Sequence, residues 1–180
     1  MSKGDYMKNI LIIRSANMET MDKLIKYIKE ANKNINYKIY CLIQRGSIKV
    51  FQEKYAFIDY IEKEDGFFEY KAFINNKELV KKLNICHFEE VYIPSSYIDY
   101  PNFHHTFMIV SKINSKKYIL FNKDGEAQEQ KFNFYLLWID KYLSEVIYFI
   151  KVLFALVGIF IIYVFGYSYY FIKRKLLKRI

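Results

Sequence analysis

Two short polar segments hold the side chains of this chain that are best suited to chemistry. The first places Arg14, Ser15, Asn17, Glu19 and Thr20 within seven positions. The second places Ser95, Ser96, Tyr97 and Asp99 together, followed closely by the adjacent His104 and His105. Guanidinium, hydroxyl and amide groups in such loops can hold an anion, the more so where backbone amides at a helix N-terminus assist. This makes Arg14, Ser15, Asn17, Ser95, Ser96 and Tyr97 the substrate-binding candidates. A carboxylate opposite an imidazole is an acid/base pair, which makes Glu19, His104 and His105 the catalytic candidates. The same residues also have structural uses. Asn17 and Thr20 suit a helix cap, Ser95 and Ser96 suit a turn, and of two adjacent histidines one faces solvent and the other a sheet.

Other chemistries are excluded by what the sequence lacks. The loop after the first apolar run contains no glycine, so it is no dinucleotide-binding turn. Walker A, nucleophile-elbow and zinc-ligand spacings are absent as well. The only cysteines, Cys41 and Cys86, sit in or beside apolar runs and read as two buried, reduced thiols. Neither a metal nor a cofactor is expected.

The elements that must position these loops follow from hydrophobic periodicity. Ile10, Leu11, Ile12 and Ile13 form an unbroken apolar run, the signature of a strand covered on both faces. Met21, Leu24, Ile25 and Ile28 recur at i, i+3, i+4 and i+7, which predicts an amphipathic helix. Further strands are expected at 37–43, 58–61, 88–93 and 117–121. Between them lie a short helix carrying Ile48, Phe51 and Tyr55, an irregular aromatic stretch at 67–73, a helix carrying Leu79, Val80 and Leu83, and a helix over 102–113. Ser47, and Asn75 or Asn76, are the expected N-caps of the first two of these helices. Right-handed crossovers then restrict the fold to an α/β, Rossmann-like, doubly wound parallel sheet of order 3-2-1-4-5. In that order the two polar loops meet where the winding reverses.

Beyond Gly125 the composition changes. A polar and aromatic connector is expected at 126–145, an apolar membrane-associated helix at 146–172 and a basic tail at 173–180. Val152 to Ile172 is about 30 Å long as a helix, enough to cross a hydrocarbon core. Tyrosines at 163, 167, 169 and 170 suit an interfacial belt, and Lys173, Arg174, Lys175, Lys178 and Arg179 suit anionic lipid headgroups. A single span, or a helix lying in the interface or re-entering near Gly158 or Gly166, both fit. The net charge of +9 is otherwise spread along helix faces, so a nucleic-acid partner is not expected. The first seven residues are polar, so no leader is read there and the α/β domain is expected on the cytoplasmic side of a membrane.

The run Asn9-Ile-Leu-Ile-Ile-Arg14-Ser15-Ala16, the helix after it, the short Ile58-Asp59 strand and Val91-Tyr92-Ile93-Pro94 carry a resemblance. Over residues 8–125 the pattern resembles the N-terminal half of heptosyltransferase-like glycosyltransferases of GT-B fold. Members of that family usually carry Leu-Gly-Asp after the first strand, with the Asp as catalytic base. Here Met18, Glu19 and Thr20 stand nearest, so the Gly-Asp pair is missing and Glu19 is the residue in line for the base. In that fold a donor-binding second domain follows, and here an apolar segment stands where it would begin. The resemblance therefore implies an acceptor-side half acting on a lipid-linked or phosphorylated sugar in cell-envelope polysaccharide or glycolipid assembly. Donor binding would come from a partner protein or a second copy. The alternative from a different class is a non-catalytic, membrane-tethered scaffold or sensor.

Overall fold

The computed structural model describes residues 7–177, with side chains as far as Arg174. Among the described residues six strands form one mixed sheet of order β3-β2-β1-β4-β5-β6. The strands are β1 (Lys8–Ile13), β2 (Tyr37–Gln44), β3 (Asp59–Lys63), β4 (Phe88–Pro94), β5 (Ser115–Phe121) and β6 (Ala127–Gln130). The first five pair in parallel, and β6 runs antiparallel to β5.

The sequence expectation of an all-parallel sheet ending at its fifth strand is thus corrected to a six-stranded mixed sheet. The sixth strand, Ala-Gln-Glu-Gln, is exposed along its whole length and carries no apolar alternation from which a strand could be read. What creates it is the preceding turn. Asn122 is buried, and its Oδ1 accepts from the amides of Asp124 and Glu126 at 3.0 Å each. Gly125 adopts φ +88°, a conformation that favours glycine. The chain therefore folds straight back onto β5.

The described residues form six α-helices: α1 (Met18–Ala31), α2 (Ile48–Lys54), α3 (Tyr70–Asn75), α4 (Lys77–Ile85), α5 (His104–Val110) and α6 (Phe134–Leu177). The unbroken apolar run of β1 serves two cores. Ile10 and Ile12 pack with Met21, Leu24, Ile25 and Ile28 of α1 and with Phe51 of α2 on one face. Leu11 and Ile13 pack with Phe73 of α3, Leu79 and Leu83 of α4, and Ile109 and Val110 of α5 on the other. All four β1 side chains are fully buried, and truncating any of them to alanine costs about 2–5 kcal/mol.

Local signals set the helix ends. Asn17 Oδ1 accepts from the Thr20 amide at 3.0 Å, and Asn76 Oδ1 accepts from the Leu79 amide at 3.0 Å, so both asparagines are N-caps. Ser47 makes no side-chain cap bond and ends a short 3-10 turn instead. The stretch expected to be irregular contains α3, a six-residue helix whose single buried side chain is Phe73.

Cys41 is fully buried, and burial pushes its thiol up to about 12 against the pull of the nearby Arg14 charge. Cys86 departs from the expectation: it is only partly buried, with its thiol 3.4 Å from the Lys82 carbonyl.

The chain divides into two compact units, Met1–Leu137 and Trp138–Ile180. Helix α6 is continuous through both Gly158 and Gly166, so neither glycine breaks it. Its stretch Phe134–Arg174 is long and apolar enough to cross a membrane, and its apolar side chains are exposed almost throughout. Lys173 and Arg174 lie at the described end of that helix. Lys178, Arg179 and the side chain of Lys175 lie outside the described residues.

Candidate functional site

The loops that follow β1 and β4 meet at the carboxyl edge of the sheet, where its winding reverses. Backbone and hydroxyl groups stitch them together. The Ser15 hydroxyl donates to the Pro94 carbonyl at 2.7 Å, and the Asn17 amide donates to Ser96 Oγ at 2.8 Å. Beside this seam is a cleft of about 480 Å³ whose lining includes Arg14, Ser15, Asn17, Gln44, Ser96, Asn102 and Thr106 on its polar side. Phe67, Phe68 and Phe103 supply aromatic surface to it. Asn102 sits at φ +63°, a backbone region that asparagine enters more readily than most residues.

Arg14 is the sole charged residue among those that line the cleft. Its guanidinium lies over the Phe51 ring at 5.1 Å, and Nη1 donates to Gln44 Oε1 at 3.0 Å. The guanidinium carries five N–H donors, and its buried Nε has no hydrogen-bond partner among the described residues. A cationic group walled by an aromatic ring and facing no carboxylate favours an anionic ligand. The positive end of the α1 dipole, at Asn17, adds to the same potential.

Other candidates have different places. Ser95 is completely buried; its hydroxyl donates to the Asp99 carbonyl at 2.9 Å and accepts from the Tyr97 amide at 3.1 Å, so it shapes the turn. Tyr97 is 61% exposed and is not among the lining residues of the cleft. Glu19, in the first turn of α1, forms an exposed ion pair with Lys23 one helical turn on, at 3.0 Å. His105 Nδ1 accepts from the Tyr70 amide at 3.1 Å, tying α5 to the start of α3. His104 opens α5 half-buried. None of Glu19, His104 and His105 lines the cleft, so the acid/base pair considered from the sequence is not assembled there.

Sequence reasoning missed Gln44 and the aromatic pair Phe67 and Phe68. Gln44 ends β2 directly after the apolar Leu42-Ile43, and that position at a strand's carboxyl end is the signal that could have found it. A second hollow, of about 640 Å³, shares Phe67 and Phe68 with the first. Glu64, Asp65 and Glu69 outnumber Lys63 in its charged lining, and Asn75 and Asn76 also line it. Burial holds the Lys63 ammonium below its ordinary value, while Asp65 and Glu64 pull it the other way. Among the described residues no group of three or more His, Cys, Asp or Glu side chains is placed to hold a metal ion.

No protein-family model matches the chain, and no curated protein or solved structure does either.

Proposed function

We propose that the α/β domain binds a phosphorylated, lipid-linked sugar at a membrane surface, as the acceptor-side half of a glycosyltransferase-type assembly for cell-envelope polysaccharide or glycolipid. The observation that carries this reading is the cleft beside β1 and β4, with Arg14 as its one charged lining residue and no carboxylate in its lining. A phosphate suits the Arg14 guanidinium where it lines the cleft, and Asn17, Ser96 and Asn102 suit the polar groups around it. Helix α6 keeps the domain at the bilayer where such a ligand resides, with the domain on the cytoplasmic side. No carboxylate lines the cleft itself, and a partner or a second copy supplies the sugar donor.

The test is titration of a short-chain polyprenyl-phosphate sugar into the full chain in lipid nanodiscs. Saturable binding is expected, weakened roughly 10- to 100-fold in Arg14→Gln, the effect of losing a charged hydrogen bond. Absence of binding, or an Arg14→Gln variant that binds as tightly as the parent, overturns the reading. It would leave the non-catalytic tethered scaffold, which the Glu19–Lys23 ion pair outside the cleft favours over a self-sufficient enzyme.

A further inference from the structure

We infer that Phe67 is a stacking platform for the sugar ring next to the phosphate, and so determines that the ligand is a sugar phosphate rather than any phosphate. This rests on the reading of the Arg14 cleft given above.

Phe67 is 96% exposed, although Phe68 beside it is packed against the core and lies 5.0 Å from the Lys63 ammonium. The core therefore uses Phe68 and has no use for Phe67. The loop that carries Phe67 is nonetheless held at several points. Gly66 O accepts from Gln44 Nε2 at 2.8 Å and from Lys63 Nζ at 2.9 Å, and Asp65 Oδ1 accepts from the Gly46 amide at 2.8 Å. Gly66 itself is at φ +105°, a conformation that a side chain would strain. An aromatic ring on an anchored support can offer its face without a large loss of freedom on binding.

The position of the ring relative to Arg14 gives this face a purpose. Gln44 accepts from Arg14 with its oxygen and donates to Gly66 with its nitrogen, so one amide sets the guanidinium and the Phe67 support in a fixed relation. Phe67 also lines both hollows, the cationic one with Arg14 and the acidic one with Asp65 and Glu69. A phosphate on Arg14 leaves its attached ring at the shared aromatic wall. A pyranose matches that wall: its C–H face is apolar and stacks on an aromatic ring, while its hydroxyls are donors suited to the carboxylates and to Asn75 beyond.

The experiment compares α-hexose 1-phosphate with inorganic phosphate as ligands for the full chain in nanodiscs. The parent protein should bind the hexose phosphate more tightly, and Phe67→Ala should lose about tenfold for it with inorganic phosphate unchanged. Phe67→Trp should retain the preference. Because the side chain is exposed, an unchanged melting temperature in Phe67→Ala is expected and is measured alongside. The inference is overturned if Phe67→Ala keeps the same ratio of affinities, or if the parent shows no preference while Arg14→Gln still weakens both ligands; the anion-binding reading then stands alone. If the parent binds neither ligand, both fall.

Discussion

The Ser15 hydroxyl reaches across 2.7 Å to the carbonyl of Pro94, joining the loop after β1 to the last residue of β4. It is also 3.1 Å from the Ile13 carbonyl, so its single proton serves the backbone of two neighbouring strands. A residue read from the sequence as a ligand contact, and which does line the cleft, is therefore also a staple at its edge. Ser15→Ala should lower stability by about 1 kcal/mol, the net value of such a bond. The Asn17–Ser96 bond crosses the same seam, so Ser15→Ala and Ser96→Ala should couple by roughly 0.5 kcal/mol or more in a double-mutant cycle. Thermal unfolding of the full chain in nanodiscs measures this, and strictly additive effects would show that the two bonds act independently.

Glu19 provides the opposite case. It sits next to the capping turn, where the family resemblance seeks a catalytic base, yet its carboxylate is held by Lys23 on the exposed face of α1. An i,i+4 pair of this orientation contributes roughly 0.3–0.5 kcal/mol. With the favourable effect of a carboxylate in the first turn of α1 added, Glu19→Gln should cost no more than about 1.5 kcal/mol, and should leave ligand binding at the Arg14 cleft intact. A folded Glu19→Gln variant that abolished the biological activity while binding normally would restore Glu19 as a base.

How far the sequence reveals this molecule depends on where the ordering forces lie. Strand β1 and helix α1 are legible because burial on both faces, or along one stripe, leaves a periodic trace in the residues themselves. Five parallel strands then follow from the handedness of crossovers, and with them the meeting of Arg14, Asn17 and Ser96. Strand β6 leaves no such trace, since it is ordered by the Asn122 turn and by pairing with β5. Helix α3 is hidden because six residues burying only Phe73 make no period. Phe67 comes to the cleft from the loop after β3, through contacts that only the assembled sheet creates, whereas Gln44 is marked only by its place at the end of β2.

Asn122 tests the account of β6 directly. Its side chain accepts two amide protons, and its Nδ2 donates to Glu126 Oε2 at 2.8 Å, all in a buried position. Asn122→Ala strands those two amides and should cost about 1–3 kcal/mol. The loss should be local first: hydrogen exchange at 127–130 should accelerate before exchange in β1 does. Equal acceleration in both strands would mean that β6 is integral to the core.

Asp22 links α1 to the end of α2 and supplies a pH dependence. Its carboxylate accepts from Lys54 Nζ at 2.6 Å and from the Tyr55 hydroxyl at 2.6 Å. The Lys54 hydrogen bond first, and the Tyr55 bond next, hold the carboxyl below its ordinary value of 3.8, outweighing the small opposing effect of burial. Burial and the Asp22 charge together push the Tyr55 phenol up. A carboxylate whose folded pKa is depressed stabilises the fold fully above its unfolded value and loses that contribution as pH falls through the folded value. Asp22→Asn should therefore be less stable than the parent at neutral pH, by no more than about 1 kcal/mol because the pair is half exposed and screened. The gap between the two proteins should begin to narrow as pH falls through roughly 4, the unfolded value, and should close only below the depressed folded value. Unfolding midpoints of both, followed from pH 7 to pH 3, decide the matter: a gap that stays constant across that range would show that packing, and not charge, makes Asp22 matter.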